Sequence, residues 1–330
     1  METETKMSRF AKYAWFVLAY NLLVILWGVV LRASHSGDGC GQHWLTCKGE
    51  IIPSAPELKT AIEFSHRITT VAAGFAVIGL LIWALREFER GSWVRTTAFF
   101  SFVFICIEGL IGMGLVLTGN TSGNWTPMRP FWTAGHLINT FILLAFLSLT
   151  AWIATGKRWS SFKLPVKFWL LFILGLAGIL LVGITGSMAA LSSMLFPSAS
   201  VTEAIARDFS ESSHFLLRLR ISHPILSIIT GAYLVFLAGW LKAKLPGSAR
   251  VARCSNTLSV LILIQFAFGA ATLLTLAPIM MQVGHLLLAD AIWISFVLMW
   301  ASCLADQGEL IRISLACEDL EARDLSAGLG

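Results

Sequence analysis

Eight long apolar runs, each bounded by charged or turn residues, fix what this chain can fold into. They fall at 13–33, 62–84, 94–117, 131–154, 165–189, 219–240, 254–277 and 279–304. A helix needs ~20 apolar residues to cross the hydrocarbon core of a bilayer, and every run is near that size. Inside lipid no water satisfies backbone N–H and C=O groups, so each run is expected to be a helix that closes its own hydrogen bonds. The last two runs are separated only at Ala277-Pro278, where proline, lacking an N–H, is expected to force a sharp reversal. Composition agrees: 56% of the 330 residues are apolar, only 13% are charged, and the mean hydropathy is +0.76. These values exclude a soluble enzyme, a disordered chain and a disulfide-stapled secreted domain. The chain reads as an all-α integral membrane protein.

The net charge of +5 and pI near 9.0 would suggest nucleic acid in a soluble protein, but here the basic residues sit in short loops between spans. Membrane orientation is the better explanation, and no nucleic-acid partner is expected. With the N-terminus inside, the inner segments hold Lys6, Arg9, Lys12, Arg86, Arg90, Arg95, Lys157, Arg158, Lys163, Lys167, Lys242, Lys244, Arg250 and Arg253. The outer segments hold only Arg32, Lys48, Lys59, Arg129, Arg207, Arg218 and Arg220. The positive-inside bias therefore puts both termini in the cytoplasm. Trp93, Trp132, Trp159 and Trp240 stand at helix ends, as interfacial anchors do. The first run lacks a small-residue cleavage site, and the N-terminus carries Glu2 and Glu4, so neither a removable leader nor a transit peptide is expected. A prokaryotic plasma membrane is the expected location. The outer segments 34–61 and 190–218 are long and all inner loops are brief, which points the chemistry outward.

An internal repeat organises the chain. Ser65-His66 followed by Gly74 matches Ser222-His223 followed by Gly231. Glu108, Gly112 and Thr118 meet Gln265, Gly269 and Thr275 at the same offset, and Gly135-His136-Leu137 then matches Gly284-His285-Leu286. The simplest reading is two pseudo-symmetric four-helix bundles, residues 1–160 and 161–304, followed by a polar cytoplasmic tail at 305–330. A four-helix unit gives both halves the same orientation.

Of the seven histidines, His66, His136, His223 and His285 lie inside the runs, one in each even-numbered span. A lone intramembrane histidine is most often a hydrogen-bonded packing residue. Four at equivalent places in two repeats are not explained that way, because polar groups in lipid are costly and usually functional. Each lies four to seven residues from the outer end of its run, so all four share one depth. Two imidazoles opposed across a bundle suit the two faces of a haem iron. Zinc would want further Cys, Asp or Glu ligands at that depth, and a di-iron centre several Glu-x-x-His motifs, approached only by Glu63-x-x-His66. Two haem-sized sites, side by side, are expected.

The halves differ chemically. Glu63 lies three residues before His66 on one helix face, whereas the corresponding position in the second repeat is Arg220. The first site thus has a carboxylate suited to proton handling, unless Glu63 is spent on an ion pair with Arg67 or Arg129. Arg218 and Arg220 are candidate partners for haem propionates in the second. In the first outer loop Cys40 and Cys47 form a C-x6-C pattern, readable as a structural disulfide or as a redox-active pair. Cys106, Cys254, Cys303 and Cys317 carry no assigned role. Glu108, Asn139, Gln265, Gln282 and Asp290 line cavities or bind backbone in this reading.

The run Gly39-Cys40-Gly41-x-x-Trp44-x-x-Cys47-x-Gly49-x-Ile51-Ile52-Pro53, then Glu63-Phe64-Ser65-His66-Arg67, resembles the haem A synthases, in the bacterial subgroup with the cysteine pair. The likeness continues through Gly135-His136, Leu216-Leu217-Arg218-x-Arg220-x-Ser222-His223-Pro224 and Gly284-His285, and covers most of 14–304. The chain departs from the family at Arg32-Ala33-Ser34-His35-Ser36-Gly37, where a Thr-Gly-Ser-Gly-like stretch is common. The resemblance implies an enzyme that oxidises the C8 methyl of haem O to the formyl of haem A through successive hydroxylations. It implies a haem B cofactor on His223 and His285, and haem O on His66 and His136 with Glu63 assisting. Haem O synthase and cytochrome oxidase assembly factors are the implied partners. Two rivals stand beside it: a di-haem b-type electron-transfer protein, which needs haems near opposite faces, and a non-enzymatic haem carrier or assembly factor, which does not need Glu63.

Overall fold

The computed structural model of the chain describes residues 7–44, 46–121, 125–156 and 165–327, with side chains described through residue 306. Lys6, Lys157, Arg158, Trp159 and Lys163, used in the orientation argument, lie outside the described residues, as do Glu2, Glu4 and the side chain of Cys317. Among the described residues ten helices form: α1 (Arg9–Ala33), α2 (Leu58–Glu87), α3 (Trp93–Leu117), α4 (Arg129–Ala154), α5 (Val166–Leu195), α6 (Val201–Phe209), α7 (Phe215–Arg220), α8 (Ser222–Lys244), α9 (Ala249–Leu274) and α10 (Ile279–Ala327). Eight stretches of the described residues are long and apolar enough to cross a membrane, with α7 and α8 together making one of them. The described part of the chain is a multi-pass all-helical membrane protein.

Local chemistry sets the ends. The Ser8, Ser92 and Ser248 hydroxyls accept the N–H of Ala11, Arg95 and Val251, capping α1, α3 and α9. The expected reversal between the last two runs lies at 275–278. Leu276 and Ala277 adopt positive φ there, and the Ala277 N–H bonds back to the Thr272 carbonyl at 2.8 Å. Pro224 has no N–H to give the Arg220 carbonyl, and the chain breaks there between α7 and α8. Several helices reach further out than the apolar runs. α2 begins at Leu58 and α5 continues to Leu195, so the outer segment read as 190–218 is largely helical, carrying α6 and α7. The segment read as a tail continues α10 as helix through Ala327.

In the first half α1 packs on α2 and α4, α2 on α3, and α3 on α4. In the second, α5 packs on α8, α8 on α9 and α9 on α10, with Phe172 of α5 stacked on Phe296 of α10 at 5.1 Å. The junction is built from α10 against α4 and α1, and α4 against α5. There Phe141 stacks on Trp293 at 5.2 Å and its carbonyl accepts the Trp293 indole N–H at 2.6 Å. Lipid gives no hydrophobic drive for helices to associate, so such close packing and interhelical bonds, each about 1 kcal/mol, hold the bundle. Tyr13 to the Ala76 carbonyl, Tyr233 to the Leu171 carbonyl and Thr150 to Thr97 are further examples.

Candidate functional site

His223 and His285 face each other across the second half. Their ring centroids are 6.2 Å apart, with the planes at 82°. Two imidazoles bound at about 2 Å on opposite sides of one metal ion place their ring centres roughly 6 Å apart, so the pair fits a single haem iron between them. Tautomer supports the fit. His223 Nδ1 lies 3.2 Å from the Val182 carbonyl, which can only accept, so the proton is on Nδ1 and Nε2 is left as a ligand. Space is made by glycine on the neighbouring helices. A Cβ on Gly186 would lie 2.8 Å from His223 Cε1, and one on Gly269 would lie 3.1 Å from His285 Cε1.

The first half carries its two histidines on α2 and α4. His66 of α2 and His136 of α4 are close enough for their charges to interact. A Cβ on Gly28 of α1 would come within 3.2 Å of His66 Cε1. Nδ1 of His66, His136 and His285 is buried in each case without a hydrogen-bond partner among the described residues. A buried ring nitrogen without a partner is costly for a residue that only packs. The residues of the second half therefore fit a haem by spacing and tautomer, and the first half offers two imidazoles of the same kind. Among the described residues no group of three or more His, Cys, Asp or Glu forms a cage for a bare metal ion. The four histidines stand six to eight residues in from the same ends of their spans, and three of them, His66, His136 and His223, lie deeper than the runs suggested because their helices start earlier.

Glu63, 2% exposed, takes the ion-pair reading with Arg67 and not with Arg129. Its Oε2 also accepts the Cys40 N–H at 2.8 Å. Arg67 donates onward to the carbonyls of His43, Trp44 and Thr46. Cys40 and Cys47 are joined by a disulfide, so this pair of charges holds the cross-linked loop against α2. The loop leans over the first half: Trp44 reaches Gly112 of α3, and the Gln42 amide lies against Gly119.

Arg220 pairs with Asp208 at 2.6 Å and donates to the Ala204 carbonyl at 3.1 Å, which fastens α7 to α6. Arg218 is exposed and makes no ion pair among the described residues. Two polar residues acquire partners that the sequence left unassigned. Gln282 accepts from Arg32, bridging α10 and α1 at 3.1 Å. Glu108 places Oε1 3.6 Å from His136 Nδ1, which makes it the carboxylate beside a first-half histidine ring. The pairing of Glu108 with Gln265 in the repeat was the available signal.

The profile of the COX15-CtaA family, described as cytochrome oxidase assembly protein, matches residues 11–297. A Thermus thermophilus protein named Protoheme IX farnesyltransferase is 43% identical over 297 residues, 90% of this chain and 49% of its own length. The Heme A synthase of Exiguobacterium sibiricum is 36% identical over 112 residues, 34% of this chain and 37% of the relative. That of Alkalihalophilus pseudofirmus is 37% identical over 100 residues, 30% of this chain and 34% of the relative. The chain spans about half the length, or less, of these curated relatives.

Proposed function

The chain belongs to the COX15-CtaA family of cytochrome oxidase assembly proteins, and from that premise we propose that it is a haem A synthase, oxidising the C8 methyl of haem O to a formyl group. The observation that carries the reading is the opposition of His223 and His285 at 6.2 Å, the spacing of two axial ligands on one iron. In this proposal they hold a resident haem B, which supplies one-electron transfer when bound. His66 and His136 hold the iron of the substrate, haem O, so 1–160 is the substrate half, 161–304 the cofactor half and 305–330 a cytoplasmic tail.

The remaining work falls to the chain's own side chains. The Val182 carbonyl keeps Nε2 of His223 free for ligation. Glu63 and Arg67 hold the disulfide loop against α2 beside His66, and Glu63 stays in the catalytic set with His66 and His136. Of the two candidate propionate partners, Arg218 is the better placed, since Arg220 would have to share its guanidinium with Asp208. Both termini are cytoplasmic, in a prokaryotic plasma membrane. Haem O synthase and oxidase assembly factors are the partners. A relative about twice the matched length that is named for protohaem farnesylation supports a neighbour that makes haem O. A b-type electron carrier across the membrane is disfavoured because all four histidines lie near the same ends of their spans.

Pigments extracted from a haem-O-producing host, with and without this chain, test the reading. Haem A is expected only with the chain, and neither His66→Ala nor His136→Ala should yield it. A host that makes no haem A with the intact chain present would overturn the proposal.

A further inference from the structure

The two histidine pairs are not equivalent in what stands behind them. In the first half, Glu108 of α3 points across to α4. Its Oε1 is 3.6 Å from His136 Nδ1. The Thr140 hydroxyl lies 2.6 Å from that same oxygen and 2.9 Å from the His136 carbonyl. Oε2 accepts the Asn139 side-chain amide, which also donates to the Phe104 carbonyl at 3.0 Å. Asn139 and Thr140 are both buried. The carboxylate is thus gripped from the helix that carries the histidine, one helical turn beyond it.

The second half has none of this. The repeat aligns Glu108, Asn139 and Thr140 with Gln265, Leu288 and Ala289, so the acid and both of its donors are replaced together. Gln265 donates its amide to the His285 carbonyl at 3.1 Å, while Gln265 Oε1 and His285 Nδ1 have no hydrogen-bond partner among the described residues. Three coordinated differences at one place are hard to assign to packing, which needs neither the charge nor the two donors. A carboxylate behind a metal-bound imidazole fixes the ring's orientation and tautomer and strengthens it as a ligand.

We propose that Glu108 is the positioning residue of the first site: held by Asn139 and Thr140, it takes the Nδ1–H of His136 and makes that imidazole a stronger donor to a haem iron than its counterpart His285. A gap of 3.6 Å exceeds a hydrogen bond, and a small swing of the partly exposed imidazole closes it once Nε2 is held by iron. Stronger donation favours the ferric over the ferrous state, so Glu108 holds the first iron at a lower potential than it would otherwise have. The inference rests on the reading of His66 and His136 as a haem pair.

The test is a redox titration, followed by visible absorption, of the full chain purified from a haem-O-producing host. The component lost in His66→Ala marks the first site. Glu108→Gln is expected to raise the midpoint of that component and leave the other unchanged. Thr140→Val, which removes one grip on Oε1, is expected to move it the same way by less, and it decides the matter if Glu108→Gln retains no first-site haem. An unmoved first-site midpoint in a variant that binds both haems overturns the role of Glu108. Failure of the unaltered chain to bind a His66-dependent haem would instead overturn the pair itself.

Discussion

The carboxylate of Glu63 accepts the backbone N–H of Cys40 at 2.8 Å, so the acid one helical turn before His66 is tied directly to the disulfide of the outer loop. The other oxygen pairs with Arg67, whose guanidinium reaches three further carbonyls of the same loop. Four backbone groups of the loop thus converge on one ion pair, which ties a glycine-rich segment to α2.

Replacing Glu63 by Gln keeps an oxygen for the Cys40 amide but removes the charge that Arg67 answers. A hydrogen bond between charged groups contributes about 2 kcal/mol, roughly thirtyfold in local opening of the loop. Limited proteolysis of the outer loop should accelerate by that order, haem A formation should fall, and both haem spectra should persist. Full haem A formation in Glu63→Gln would remove Glu63 from the catalytic set.

The Cys40–Cys47 bond closes a short loop already held by Glu63, Arg67 and the Thr60 hydroxyl on the Gly39 carbonyl. Chain entropy alone assigns a ring this small about 2 kcal/mol. The double variant Cys40→Ser, Cys47→Ser is therefore expected to lower the thermal midpoint while retaining haem A formation. Loss of haem A formation with an unchanged midpoint would mean that the thiols carry electrons.

Glycine at 186 decides whether His223 can sit where it does, because a Cβ there would be 2.8 Å from its ring. Overpacking of this kind costs about 1–3 kcal/mol, so Gly186→Val should weaken retention of the second haem by roughly five- to a hundredfold. Gly28→Val, which crowds His66, should instead weaken the first. Haem retention in detergent, followed by absorption, separates the two. If both variants lose the same haem, the division into two sites is wrong.

Much of this architecture is legible in apolar runs and spacing, because lipid leaves the backbone few choices. All eight spans were visible, the reversal before Pro278 followed from its missing N–H, and the histidines were marked by recurring at equivalent places. What escaped depends on side-chain direction. Glu63 and Glu108 both look like intramembrane acids in sequence, yet one turns outward to a loop 23 residues away and the other inward to a ring on a different helix. Arg220 likewise reads as a spare cation until α6 supplies Asp208, and α6 is too short and mixed in charge to show as an apolar run.

Asp290 is 0% exposed within α10, and neither carboxylate oxygen has a hydrogen-bond partner among the described residues. It is five residues beyond His285 and therefore off that histidine's face. A buried polar group without a partner costs about 1–3 kcal/mol, and α10 is held from several sides by α1, α4 and α9. Asp290→Val, which removes the carboxyl and retains comparable bulk, is expected to raise the thermal midpoint of the purified protein and leave both haem spectra intact. A lower midpoint, or loss of either haem, would mean that the carboxyl serves a haem site or gains a partner when haem is bound.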